Sequence, residues 1–558
     1  MRLALLLVTL VGAGLAIPNG AAAATIDVTR GDDPPLSTTT GCSLRQAVQA
    51  ANVNAAVGAC PAGEPTALDT IRLPVSVRLT IAGPVDDNDN QTGDLDVLAG
   101  GPLRITGTVA GASTIAQTVT ERVLNLVAGS LELERVVVTG GNIGAVVMPP
   151  ASDGGGISAR AATKLTLTDS TVSGNTARQS GAIANGTRVT NDNGGEVLIV
   201  DSTVSGNRAT ANSGGGMGAG GIGNINGTLT LVNSTLSGNE TAGGRGGGIY
   251  SEALSGQTST VNVLNSTLAA NASSSGANLH NSGNGGIAAM RLRSSILSGP
   301  RNDTNCGSSG NGGFSSQGYN LADDDSCRLI EATDRPEADP LLGPLAANGG
   351  LTLTHALGPS SPAIDRGTSD TALTGIGVLS ADQRGLPRPR DFAELANTRG
   401  GDGADVGAFE LQPSPPGQLT PGQPPLAVSR DDSVTISIAG RRLRIGRNRV
   451  TRVRLTCPRA EQSPPCRGTL TLRTRSRVKF AGRRRLVVIA GARFQIAAGT
   501  SKVVRLRLAP SKLRLMRGNR LARRAVAIAN VRDAAGNVET VRKRLRVLRP
   551  PRDRARSS

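Results

Sequence analysis

Apolar and polar positions recur through the middle of this chain with a fixed period. The phrase DSTVSGN runs from Asp169 to Asn175 and again from Asp201 to Asn207, becomes NSTLSGN from Asn233 to Asn239, and returns as NSTLAAN from Asn265 to Asn271. Each copy starts 32 residues after the one before. Self-similarity at that spacing marks a solenoid, propeller or array, whose units bury their apolar sides on one another. An alternating stretch precedes each copy: LTLTDS at Leu165, EVLIVDS at Glu196, TLTLVNS at Thr228 and TVNVLNS at Thr260, with AMRLRSS at Ala289 and LELERVVVTG at Leu131 extending the series. Leu165 and Leu167 share a face, whereas Val172 follows after an odd gap. A period of two cannot hold all three inside, so the chain bends between Thr168 and Ser170 and begins a second strand.

The GGGI elements, Gly154 to Ile157 and Gly246 to Ile249, with SGAI at Ser180 to Ile183, supply a third strand. Three short strands per turn predict an all-β parallel β-helix over 69–337. Equivalent residues would stack ~4.8 Å apart, so Asn175, Asn207, Asn239 and Asn271 are expected to form an amide ladder at one corner. The column Asp169, Asp201, Asn233, Asn265 reads as part of the same corner support.

Other patterns flank the helix. Leu44, Ala47, Val48 and Ala51 have helical spacing behind a Ser43/Gln46 capping box, predicting a short helix over 44–52 within an end cap, 25–68. Asp69 to Ile81 alternates as a strand pair broken at Pro74. The period stops at Asp339, and 338–411 is expected to close the solenoid. A Pro/Gly linker, 412–425, leads to 426–548, where TRVRLT, TLRTRSRVKF and KVVRLRLA predict strands of a small β-sandwich with one Arg-covered face. The tail 549–558 is expected to be disordered.

Composition changes the picture in three ways. The chain of 558 residues has 73 glycines but no Trp, two Tyr and five Phe, a β composition with tight corners and few rings to stack on sugars or bases. From Arg430 onward it has 36 Lys and Arg against 6 Asp and Glu, a net +30; the whole chain is +18, so residues 1–429 carry −12. A basic domain follows an acidic one. Arg2, the apolar run Leu3 to Ile17 and the small residues to Ala24 predict a signal peptide, 1–24, with an uncleaved anchor as the alternative. No transmembrane segment is expected after its removal, and the location implied is secreted or cell-surface.

Export makes disulfides plausible, and the six cysteines stand as close pairs: Cys42 with Cys60, Cys306 with Cys327, Cys457 with Cys466. Zinc is the rival, but no C-x-x-C spacing occurs and neither His280 nor His355 lies near a pair.

Candidate chemistry is sparse. DDNDNQTGDLDV, Asp86 to Val97, offers Asp86, Asp87, Asp89 and Asp94 as ligands for a structural Ca²⁺, although Thr92 stands where a calcium loop needs glycine; a solvated acidic turn is the alternative. Asp169 and Asp201, with Arg178 or Arg208 nearby, are the paired carboxylates that a polysaccharide lyase or hydrolase would need, yet the column turns to Asn in the next two coils. His280 and His355 read as loop or cap residues. The Arg-rich strands suit an anionic cell-envelope polymer or surface glycan; with Phe480 and Phe494 their only aromatics, sequence-specific nucleic-acid binding is not expected.

CSLRQAVQAAN at Cys42, DTIRLP, TGDLDV and ERVLNL resemble the bacterial CSLREA domain, with Gln46 in place of that family's Glu. ADPLLGPLAANGGLTLTHAL, SPAIDRG, DQRG and DVGAFE, between Ala338 and Glu410, resemble the choice-of-anchor Q domain. DAAGNVETV at Asp533 is similar to bacterial Ig-like modules. The resemblance spans about residues 42–411 and implies an exported, surface-associated, right-handed parallel β-helix, without implying one reaction. The function expected is structural or adhesive, with the basic module holding the protein at the envelope; a carbohydrate-active β-helix is the alternative. Ligand identity and oligomeric state have no signature in the sequence.

Overall fold

The computed structural model describes residues 23–412 and 436–548, except 85–86, 99, 109–111, 145–152, 161, 189–192, 211–217, 359, 372–374, 441, 447, 458–465, 481, 498–499 and 533–537. The expected signal peptide up to Ala22, the linker from Pro413 and the tail from Arg549 lie outside the described residues. The chain divides after Ser414 into two compact units.

The first unit is a parallel β-helix. One coil shows its construction: Lys164–Thr168, then Thr171–Ser173, then Ile183–Asn185, before the chain returns at Glu196–Val200. Repeated coils stack these strands into parallel sheets of ten, nine and eight strands respectively. Leu165 pairs with Val197, Val172 with Val204 and Ile183 with Ile222. Leu165, Leu167, Val172 and Ile183 are all fully buried, so the three strands do converge on one core. The GGGI glycines precede the third strand rather than forming it, because the chain approaches its neighbour too closely for a side chain. A Cβ on Gly248 would stand 2.5 Å from the Asn278 carbonyl oxygen.

Each bend sits where the odd gap required it. Asp169, Asp201, Asn233 and Asn265 adopt left-handed backbone with φ between 47° and 51°, a conformation that short polar Asp and Asn tolerate better than other non-glycine residues. This column therefore turns the chain; the serine after it forms the ladder instead. Ser202 Oγ accepts from Ser170 N at 3.0 Å, Ser234 Oγ from Ser202 N at 3.1 Å and Ser266 Oγ from Ser234 N at 3.1 Å. At the next corner the asparagine ladder forms as expected. Nδ2 of Asn175, Asn207 and Asn239 donates to Oδ1 of the following asparagine at 3.0, 2.9 and 3.0 Å, and Asn271 continues to Asn278 at 2.7 Å.

Two expectations are corrected. Asp69–Arg72 and Val77–Leu79 do not pair with each other; they are successive sides of one coil, in the ten- and nine-stranded sheets. Segment 338–411 contributes no residue to the apolar cluster of the β-helix, whose last members are Cys327 and Leu329. It runs back along the flank of the nine-stranded sheet. Thr203, Thr235 and Thr267, on consecutive rungs, bond Leu353 O at 2.7 Å, Gln383 Oε1 at 2.6 Å and Ala408 N at 3.0 Å.

At the amino end a helix, Leu44–Val53, carries the Ser43/Gln46 capping box. All three cysteine pairs are disulfides. No helix among the described residues is long and apolar enough to cross a membrane.

The second unit is a β-sandwich. A sheet of Ser437–Ile438, Val450–Thr456 and Ser501–Arg507 accompanies a five-stranded sheet led by Cys466–Thr474, Val488–Ile496, Arg524–Arg532 and Val538–Val547. Leu455, Leu470, Leu472 and Leu506 share its core. The sequence patterns had not indicated its helix, Pro510–Gly518, which opens with proline and sends Leu513 and Met516 into that core.

Candidate functional site

The second unit concentrates charge of one sign. Between residues 436 and 548 the sequence has 31 Lys and Arg and three acids, Glu461, Asp533 and Glu539. Strand alternation sorts them: in Val450–Thr456, Val453 and Leu455 are buried while Arg452 and Arg454 are exposed, and Arg505 and Arg507 are exposed on the neighbouring strand. Arg452 stands directly across from Arg505, and Arg524 from Arg546. Like charges opposed across strands destabilise a sheet. The fold therefore holds arginines in close opposition across neighbouring strands.

The array has a focus. Arg475, Arg520, Arg523, Arg524, Arg544 and Arg546 line a cleft of about 340 Å³ with Ala525 and Leu545, and no carboxylate is among the lining residues. The planar, permanently charged guanidinium suits bidentate bonds to phosphate, sulfate or carboxylate.

In the first unit, the outer face of the eight-stranded sheet forms a polar groove near the far end of the helix. His280 lies within a strand, Leu279–Asn284, and not in a loop or cap as expected. Its Nδ1 and Nε2 face Ser275 Oγ at 3.3 Å and Ser309 Oγ at 3.1 Å, and its ring stacks on Tyr250 with centroids 5.8 Å apart. Arg245 Nη1 donates to Ser309 Oγ at 3.2 Å. Buried Glu252 stands 3.6 Å from the Arg188 guanidinium and accepts from Asn284 Nδ2 at 3.3 Å. Burial, reinforced by Arg245, pushes the His280 pKa down to about 4, so the imidazole is neutral over the physiological range. His355, in the flanking segment, bonds Ser237 Oγ at 2.9 Å and Gly343 O at 2.8 Å.

Asp169 and Asp201 are adjacent rungs of the turning column, both half-buried. Segment 338–411 reaches Asp201 through Thr352, whose Oγ1 donates to its carbonyl at 3.0 Å, while from the next coil Asn233 Nδ2 donates to its Oδ1 at 2.5 Å. Burial chiefly, with Asp169 and Asp382 adding repulsion, pushes the Asp201 pKa up to about 7. The folded state thus holds a proton that the unfolded chain releases near pH 4, and stability falls as pH rises from about 4 to about 7. Asp201→Asn, matching the residue already at 233 and 265, is expected to raise unfolding stability at pH 8 by roughly 2 kcal/mol and to change it little at pH 4. Urea titrations at the two pH values check this; a loss at pH 8 would mean that the carboxylate is usefully charged.

The acidic turn is only partly the one expected. Asp87 and Asp94 come together with Asp96, which the spacing did not single out. Asp89 instead accepts from Gln91 N at 2.8 Å in an exposed turn. Asp86 lies outside the described residues.

Compared with known proteins, the chain matches no family model and no curated protein.

Proposed function

We propose that this is an exported, envelope-associated β-helix protein whose basic C-terminal unit binds an anionic polymer or surface glycan and holds the β-helix there as a structural or adhesive rod. The observation that carries this is the six-arginine cleft without a lining carboxylate. Motifs resembling CSLREA and choice-of-anchor Q domains, together with the expected signal peptide, favour an exported surface protein.

Arginine stays charged at any ordinary pH, so retention of the full chain on anionic envelope polymer should persist from about pH 5 to 9 and fall steeply with salt. The triple variant Arg523→Glu, Arg524→Glu, Arg544→Glu is expected to weaken binding at least about tenfold at about 0.1 M salt. Sedimentation with isolated envelopes measures it, and undiminished binding by the variant would defeat the proposal.

A carbohydrate-active β-helix is the second reading, and the His280–Arg245–Glu252 groove favours it over the Asp169/Asp201 pair. Release of reducing ends or unsaturated products from acidic polysaccharides, lost in Glu252→Gln, would put that reading first.

A further inference from the structure

We propose that Asp87, Asp94, Asp96 and Glu121 form a site for a hard divalent cation, Ca²⁺ by preference, that staples the amino-terminal cap to the first coils of the β-helix. The site is separate from the polymer-binding role and does not depend on it. One carboxylate oxygen from each of Asp87, Asp94 and Asp96 lies within 4.8 Å of the others. Two oxygens on one Ca²⁺, each at about 2.4 Å, stand at most about 4.8 Å apart, so the three can share an ion.

Proximity of acids alone would not identify a ligand. The independent observation is Glu121, outside that trio and fully buried. Its Oε1 accepts from Arg122 N at 3.0 Å, while its Oε2 is buried without a hydrogen-bond partner. That oxygen faces the acidic turn, 3.6 Å from where a Cβ on Gly93 would stand. Asp96 is also fully buried: Oδ1 accepts from Asn125 Nδ2 at 2.9 Å, and Oδ2 has no hydrogen-bond partner. Asp87 Oδ2 accepts from Thr92 Oγ1 at 2.6 Å, leaving Oδ1 buried without one.

Charge leads to the same conclusion. Against four carboxylates stands Arg122, whose Nε is 3.1 Å from Asp94 Oδ2 with both side chains fully buried. A second buried guanidinium beside the turn, that of Arg45, is matched by Asp33 at 2.7 Å. Unmatched buried charge is costly, and a divalent cation would offset most of what remains. Donors that are all oxygen select Ca²⁺ or Mg²⁺ over zinc or copper, and several protein carboxylates in a closed site favour Ca²⁺, since Mg²⁺ retains more of its water.

The location gives the ion its role. Arg45, on the capping helix, donates to the carbonyl oxygens of Thr92, Gly93 and Asp94 at 2.8, 2.8 and 3.0 Å. Asp96 lies on Leu95–Val97, the edge strand of the eight-stranded sheet. An ion held between the turn, this strand and Glu121 would tie cap and sheet together.

The test is calorimetric titration of the full, disulfide-bonded chain with CaCl₂ and with MgCl₂ after chelator treatment and removal, alongside thermal unfolding. One Ca²⁺ per chain is expected, with Kd between about 10 μM and about 1 mM and at least about tenfold weaker Mg²⁺ binding. About 10 mM Ca²⁺ should raise Tm by about 2–5 °C. Asp96→Asn and Glu121→Gln should each weaken Ca²⁺ binding at least about tenfold without lowering the Ca²⁺-free Tm, because each removes a charge from a repelling set; Asp89→Asn should leave binding unchanged. Absence of saturable Ca²⁺ binding up to about 10 mM, or wild-type affinity in both variants, would overturn the proposal. Mg²⁺ binding as tight as Ca²⁺ would overturn the stated preference.

Discussion

Asn239→Leu is expected to lower the unfolding free energy of the full chain by about 3–5 kcal/mol, although leucine repeats asparagine's branched outline of heavy atoms. Asn239 is fully buried. Its Nδ2 donates to Val204 O at 2.9 Å and Asn271 Oδ1 at 3.0 Å, and its Oδ1 accepts from Asn207 N at 3.1 Å and Asn207 Nδ2 at 2.9 Å. Some of these partners have substitutes: Asn271 Oδ1 keeps the Asn239 backbone N–H, and Asn207 Nδ2 keeps Val172 O. The Asn207 N–H and Val204 carbonyl would lose bonds inside the core, where each unsatisfied group costs about 1–3 kcal/mol. Because a solenoid's coils contact only their neighbours, protection from hydrogen exchange should fall first at residues 204–209 and 236–241. Thr228→Ala, at an exposed strand end of the same coil, should stay within about 0.5 kcal/mol of wild type. Equal denaturation curves for the two variants would show that the ladder accompanies the fold without supporting it.

The ladder could be read from sequence because it obeys the repeat. A residue required once per coil, in the same corner, returns every 32 positions, and the odd gap between Leu167 and Val172 places the bend at Asp169. The same regularity concealed the division of labour within the phrase. Asp or Asn, Ser and Asn all recur at one interval, and only the backbone distinguishes the left-handed turning position from the two positions that bond along the stack. The candidate sites were far less legible because they break the repeat. His280 occupies a column that also holds Tyr250, Gly223, Ala184, Ser158 and Gly307, so no periodic signal marked it. Arg245 and Ser309, which meet beside it, are 64 residues apart. Glu121 and Asp96 likewise reach one turn from different coils. For the basic unit, alternation of Arg with Val or Leu did reveal which face would carry the charge, but the gathering of Arg475, Arg520 and Arg544 around one cleft depends on strand pairing across some seventy residues.

Arg388→Met should detach the flanking segment from the β-helix, at a cost of about 3–5 kcal/mol to that docking. Nothing periodic announced this residue, yet its guanidinium joins the two parts of the first unit: Nε donates to Glu410 Oε2 at 2.8 Å, Nη1 to Asn233 Oδ1 at 3.0 Å, and Nη2 to the carbonyls of Asp405 and Gly407 at 3.1 and 2.6 Å. Both charged side chains are fully buried. Methionine fills much of the space but leaves the Glu410 carboxylate with only the backbone donors Asp405 N and Arg390 N, and an uncompensated buried carboxylate is far costlier than the pair. Limited trypsinolysis should then cut within 384–399, where Arg384, Arg390 and Arg399 lie, at least about tenfold faster than in wild type, while the coils before it resist. Adding Glu410→Leu removes the stranded charge, so the double variant should recover at least about half of the lost stability. If Arg388→Met alone left cleavage unchanged, the threonine and Gln383 contacts along the nine-stranded sheet would be sufficient to hold the flank, and Asp201 would stay covered without the ion pair.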